Sequence, residues 1–332
     1  MITRLAILLA GLVLDRLIGD PPWLWRHVRH PVAAMGEAIG ALDRILNRPD
    51  FTDETRRRAG FFALGLLLLA ALLIGGFIAA LADAFGALGM IVETLIVAIF
   101  LAHKSLVDHV GAVATALRNG GLAEGRRTVA MIIGRDPEQL DQAGIVRAAI
   151  ESLAENASDG VVAPAFWYLL LGLPGLLAYK MVNTADSMIG HLNAPYRDFG
   201  FAVAKLDDIL NFVPARLTAL LLALAAMFGG NGAAPRLGFS TIVAITRRDA
   251  PLHRSPNAGW PETAMAAALG LSVGGPRRYG DLVVDAPQLN PEGRREATPA
   301  DIARAIALFE RAMDVVLAII AIILVFVVPG VL

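Results

Sequence analysis

From Phe61 to Leu81 the chain carries no charged residue, and about 20 predominantly apolar residues are what a helix needs to cross the hydrocarbon core of a bilayer. Inside lipid every backbone polar group must find its partner within the protein, which leaves only helices and closed barrels. Alternating strand patterns are scarce, which argues against an outer-membrane barrel, and the expected fold is all-α. Hydrophobic residues make up 56% of the 332 and the mean hydropathy is +0.60. Lipid is the main solvent for such a composition.

Apolar segments near 5–18, 61–82, 88–102, 161–179, 209–228 and 312–331 predict a polytopic integral membrane helical bundle, read as a single domain over 1–332. Large polar loops are expected at 19–60, 103–160 and 229–311. The first segment begins like a secretory signal, with Arg4 ahead of it, but Asp15-Arg16 occupies the place of a cleavage site. Leu173-Pro174-Gly175 interrupts one segment, and Pro214 with Arg216 lies inside another. Broken or re-entrant helices of this kind line cavities. Two helix starts are also legible: Asp136-Pro137 with Gln139, and Thr298 with Asp301. Arginines concentrate in the polar loops, which the positive-inside rule assigns to the cytoplasm. The expected setting is a bacterial-type inner membrane, with the site facing the cytoplasm.

A net charge of −1 argues against a nucleic-acid partner, and the absence of cysteine excludes disulfides, thiolate metal sites and a cysteine nucleophile. No nucleotide-binding P-loop, dinucleotide fingerprint, zinc-protease motif or serine-hydrolase elbow is present. His27 and His30 are spaced like metal ligands but have no acidic or third-histidine partner nearby in sequence, so they are not taken as a metal site.

Polar residues crowd instead between Glu151 and Arg216, in ESLAENASDGVVAP, YKMVNTADSMIGH and KLDDILNFVPAR. A charge beside hydrocarbon costs several kcal/mol unless paired or wet, so the three stretches are expected to meet in one polar cavity. Residues three or four apart share a helix face. Glu151, Glu155 and Asp159 would then form an acidic stripe. Lys180 would meet Asn183 and Thr184; Asn183 would meet Asp186 and Ser187; Asp207 and Asp208 would reach Asn211. Carboxylates with amides suit Mg²⁺, and lysine with arginine suits phosphate.

Together DRLIGDPPWLW, HPVAAMG, ESLAENASDGVVAPAFW, YKMVNTADSMIG, LDDILNFVPARL and SPNAGWPE resemble the CobD/CbiB family, the adenosylcobinamide-phosphate synthases of cobalamin biosynthesis, over nearly the whole chain. The resemblance implies ATP-dependent joining of aminopropanol, or its O-phosphate, to the free propionate carboxyl of adenosylcobyric acid. It thus implies a corrinoid partner, ATP as cosubstrate, Mg²⁺, and contact with other enzymes of the pathway. On this reading Glu155, Lys180, Asp186 and Asp208 are the catalytic candidates, and Asp186, Asp207 and Asp208 the metal ligands. Asn156, Asp159, Asn183, Thr184, Ser187, Asn211, Arg216, Asn257, Trp260 and Glu262 are the substrate- or nucleotide-binding candidates. Glu155 is cast as the base for the incoming amine, and Lys180 and Arg216 as the phosphate cations. Other readings of the same residues are a Mg-dependent membrane prenyl or alcohol phosphotransferase, a non-catalytic membrane sensor, and a transporter.

Overall fold

A computed structural model describes residues 1–134, 136–191, 194–229, 237–279, 282–284 and 286–327. In chain order the helices are α1 (Ile2–Ile18), α2 (Pro22–Trp25), α3 (Pro31–Leu46), α4 (Asp53–Ala84), α5 (Ala87–Phe100), α6 (His103–Val129), α7 (Gln142–Ala157) and α8 (Ala163–Leu171). Then follow α9 (Leu173–Ile189), α10 (Tyr196–Phe199), α11 (Phe201–Leu210), α12 (Phe212–Ala225), α13 (Phe239–Asp249), α14 (Gly259–Leu269) and α15 (Pro299–Val327). Among the described residues strands are confined to two short antiparallel pairs, Val273–Gly274 with Gln288–Leu289 and Arg277–Tyr279 with Leu282–Val284. The mostly helical expectation is met. By length and composition α4 and the stretch Ala87–Val129 can cross a membrane, and Phe201–Leu210 with Phe212–Phe228 makes a third if counted as one broken span. Residues 328–331 of the last expected segment lie outside the described residues.

Contacts divide the chain into two compact units. The first comprises Met1–Ala102, Ala163–Asn211 and the chain from Leu324. Its organising helix is α4, opened by Thr52, whose hydroxyl accepts the Thr55 N–H at 3.2 Å. Ala63, Leu67, Ala71 and Gly75 form its buried stripe, four residues apart, against α9, while Phe62 and Phe77 stand 60% and 70% exposed. Aromatic and aliphatic side chains so exposed along the charge-free run Phe61–Leu81 of this helix suit lipid. Small residues set the approach, because a Cβ at Gly75 would lie 2.7 Å from Pro174 Cα. Glu93, the one charge in apolar α5, accepts a hydrogen bond from the Tyr168 hydroxyl at 2.8 Å. The break near Pro174 falls at Gly172, whose φ of 70° separates α8 from α9.

The second unit comprises His103–Val162 and Phe212–Ile323. Helix α14 lies at its centre, touched by α7, α12 and α13, with Thr263, Ala264, Met265 and Ala266 fully buried. The expectation of a polar loop over 229–311 is corrected there. The start expected at Asp136 is also corrected: Asp136 Oδ1 caps only a local turn through the Glu138 N–H, and α7 begins after Asp141, whose Oδ1 accepts the Gly144 N–H at 2.6 Å. The Thr298–Asp301 start holds, with Asp301 Oδ2 accepting the Thr298 N–H at 2.8 Å. Buried Asp249 ties α13 to the following segment by accepting from Arg248 and from the Asn290 N–H at 2.9 Å.

Candidate functional site

In the first unit the site residues come from α9 and α11. Asn183, Thr184, Asp186 and Ser187 follow buried Lys180 on α9, and the Ser187 hydroxyl is spent on the Asn183 carbonyl at 3.0 Å. Helix α11 ends at Asn211, whose N–H closes on the Asp207 carbonyl. That geometry turns the Asn211 side chain back onto Asp207, and Nδ2 donates to Asp207 Oδ2 at 2.9 Å. Asn183 Nδ2 donates to Asp207 Oδ1 at 3.4 Å. The Tyr179 hydroxyl completes the chain by donating to Asn211 Oδ1 at 2.9 Å. Asp207 is thus a buried carboxylate anchored by amides, with the charges of Asp186 and Asp208 near enough to act on it. Asp208 pairs with Lys205 at 3.5 Å. Tyr179, buried one residue before Lys180, was not singled out by sequence; its place four residues ahead of Asn183 was the available signal.

Among the described residues no three His, Asp or Glu side chains form a metal-holding group. Asp186, Asp207 and Asp208 therefore do not make an all-protein cage. They do offer oxygen donors only, and Mg²⁺ is commonly held by one or two carboxylates with water and substrate phosphate completing the shell. The donor set fits that mode.

In the second unit α7 carries Glu155 and Asn156, both exposed, and runs into a wide π turn, Ser158–Val162, that contains half-buried Asp159. The expected acidic stripe is corrected in two ways. Glu151 is buried and accepts the Gly274 N–H at 2.8 Å, and the π turn alters the helical register before Asp159.

Arg216, on α12, is held from several sides. Its Nη1 donates to the Phe212 carbonyl at 2.8 Å and to Asn257 Oδ1 at 3.0 Å; its Nη2 donates to the Pro256 carbonyl at 3.2 Å. The guanidinium lies 3.7 Å from the Phe212 ring centroid and 4.5 Å from that of Trp260. Every one of these partners is neutral. Among the described residues no carboxylate pairs with Arg216, so its charge is positioned but not cancelled. Asn257 and Trp260 thus enter the site as holders of Arg216, and Glu262, on the first turn of α14, lies 3.8 Å from His253.

His27 and His30 stay outside both sets. The His30 Nδ1 caps α3 by accepting the Val32 N–H, and the turn at Gly19 brings Asp20 to 3.4 Å from its Nε2. An acid does lie near, contrary to the sequence expectation, but as a pair and not a cluster.

A family model described as CobD/Cbib protein matches residues 8–309. The chain is 54% identical over 311 residues to the cobalamin biosynthesis protein CobD of Brucella suis biovar 1, covering 94% of each chain. It is 52% identical to that of Rhizobium meliloti, again over 94% of each, and 43% identical to that of Rhodobacter capsulatus over 93% of each. No solved structure matches.

Proposed function

The chain belongs to the CobD/CbiB protein family, and on that footing we propose that it is an ATP-dependent ligase forming an amide bond. The acid is the free propionate carboxyl of adenosylcobyric acid; the amine is aminopropanol or its O-phosphate; the product is adenosylcobinamide or its phosphate. The observation that carries this reading is Arg216, an oriented guanidinium whose partners among the described residues are all neutral. A phosphate is the kind of group such a fork receives in two parallel hydrogen bonds.

A carboxylate repels nucleophiles and has no good leaving group. One of its oxygens attacks the γ-phosphorus of ATP, the bond to ADP breaks, and an acyl phosphate forms. The amine nitrogen then attacks the acyl carbon, and inorganic phosphate leaves with the electron pair of the broken bond. Glu155, exposed on the last turn of α7, takes the proton that the nitrogen sheds. Lys180 and Arg216 hold phosphate oxygens; Asn156, Asp159, Thr184 and Ser187 line the substrates. Asp186 and Asp208, with Asp207 anchored by Asn183 and Asn211, would hold Mg²⁺. When bound, that ion neutralises phosphate charge as it builds. The reading puts the protein in the inner membrane as a multi-pass enzyme with its arginine-rich loops in the cytoplasm, supported by α4 and the stretch Ala87–Val129.

The test uses the full chain in detergent with adenosylcobyric acid, Mg-ATP and either amine, reading corrinoid mass and ADP. A corrinoid gaining the amine less one water, with ADP formed in step, is expected; hydroxylamine in place of the amine should trap the acyl group. An unchanged corrinoid with ATP intact refutes the ligase.

A further inference from the structure

The turn that holds Arg216 is itself held by a histidine that no part of the proposed chemistry uses. Ser255 N–H donates to His253 Nδ1 at 3.0 Å, the shorter of two contacts at that nitrogen, the Ser255 carbonyl oxygen being 3.3 Å away; a ring that accepts there carries its proton on Nε2, 3.8 Å from buried Glu262 Oε2. A carboxylate on that side favours this tautomer. Ser255 in turn receives the Asn257 and Ala258 N–H groups on its hydroxyl, both at 3.2 Å. The next two residues after Ser255 supply the acceptors for Arg216, the Pro256 carbonyl and Asn257 Oδ1. The base of the His253 side chain sits tight against the start of α14, because a Cβ at Gly259 would lie 2.5 Å from His253 Cβ and 2.5 Å from the Ala250 carbonyl oxygen. Only glycine lets α14 start this close.

We propose that His253 is a positioning residue for anion binding: its Nδ1 locks the Ser255–Asn257 turn in the shape that aims the Arg216 guanidinium. This role presupposes the reading of Arg216 as the cation that receives a substrate phosphate. His253 is not a base in the reaction, since Nδ1 is committed to Ser255 and Nε2 faces Glu262.

The full chain in detergent is titrated calorimetrically with inorganic pyrophosphate, comparing wild type with Arg216→Ala, His253→Ala, His253→Asn and His253→Gln. Asparagine places an acceptor oxygen near the position of Nδ1, whereas glutamine places its amide near that of Nε2. With one positioning hydrogen bond lost, His253→Ala and His253→Gln should bind roughly tenfold more weakly, and His253→Asn within about twofold of wild type. Asparagine performing no better than glutamine overturns the role of Nδ1, and this pair decides the matter even if the alanine variant fails to fold. Normal binding by His253→Ala and His253→Gln, with binding lost in Arg216→Ala, overturns His253 while sparing Arg216. Normal binding by Arg216→Ala overturns the anion reading itself. In turnover, KM for ATP or for aminopropanol O-phosphate should rise in His253→Gln with kcat kept, and whichever rises identifies the phosphate held. A fall in kcat alone overturns the proposal.

Discussion

Arg216 Nη1 meets Asn257 Oδ1 at 3.0 Å, a side-chain bond that ties the first turns of α12 to the turn preceding α14. The two residues are 41 apart in the chain, and neither has a periodic signal that pairs them. The bond matters because Asn257 is neutral: it orients the cation and leaves the charge for a ligand.

Arg216→Lys keeps the charge and loses the planar fork, the stacking on Phe212 and Trp260, and the shared hydrogen bonds. The expected outcome is a KM for the phosphate-bearing substrate raised about tenfold or more, with a melting temperature in detergent close to wild type. Wild-type kinetics from the lysine variant would remove Arg216 from phosphate binding.

Asp186 and Asp208 are proposed to share one ion with substrate phosphate, so neither is expected to be needed for folding. Asp186→Asn and Asp208→Asn should each raise the Mg²⁺ concentration for half-maximal activity by roughly tenfold. Titrating Mg²⁺ at saturating ATP checks this. An unchanged midpoint in both variants would leave the acids without a metal role.

Asp207→Asn separates the anchored carboxylate from its two neighbours. Asp207 accepts from Asn183 on one oxygen and from Asn211 on the other, so a replacement amide meets a donor whichever way it turns. A buried group left facing a like partner costs about 1–3 kcal/mol. Thermal unfolding in detergent should show the loss, and no shift would mean that the site relaxes around the change.

Legibility in the sequence followed how local each signal was. The run Phe61–Leu81 announced α4 because lack of charge over such a length has one common physical cause. The break near Pro174 was equally local, written in glycine and proline. Helix α14 was invisible for the opposite reason: buried on nearly every side, GWPETAMAAAL has no polar face to set a period. Asp136 and Asp141 are both plausible caps, and only the packing of α7 against α6 and α14 chose the second. Within the site, Asp207 with Asn211 was readable as a four-residue spacing, whereas Arg216 with Asn257 and Glu151 with Gly274 are tertiary pairings.

The glycines of α4 give a paired test of its packing. A Cβ at Gly60 would fall 1.9 Å from the Phe199 carbonyl oxygen, whereas one at Gly65 meets nothing within 4 Å. Gly60→Ala should therefore force backbone apart and cost about 1–3 kcal/mol or more. Gly65→Ala should be neutral or stabilise by about 0.5–1 kcal/mol through helix propensity. Equal melting temperatures for the two variants would contradict the contact between α4 and the end of α10.

Asp301 supplies a pH test at the start of α15. Burial alone would raise its pKa, but hydrogen bonds from the Thr298 N–H, from Arg294 and from the Thr298 hydroxyl outweigh it and hold the carboxyl below its ordinary value. Arg304 adds a further bond at 2.7 Å. A carboxylate whose folded pKa is depressed stabilises the fold above its unfolded pKa of about 3.9, and that contribution is lost as pH falls through the lower folded value. Asp301→Asn keeps an acceptor oxygen but not the charge. The wild type should therefore melt higher than Asp301→Asn at pH 6, and the gap should close as pH drops below about 4. A gap that stays constant from pH 6 to pH 3 would show that the ionised form of Asp301 does not stabilise the cap.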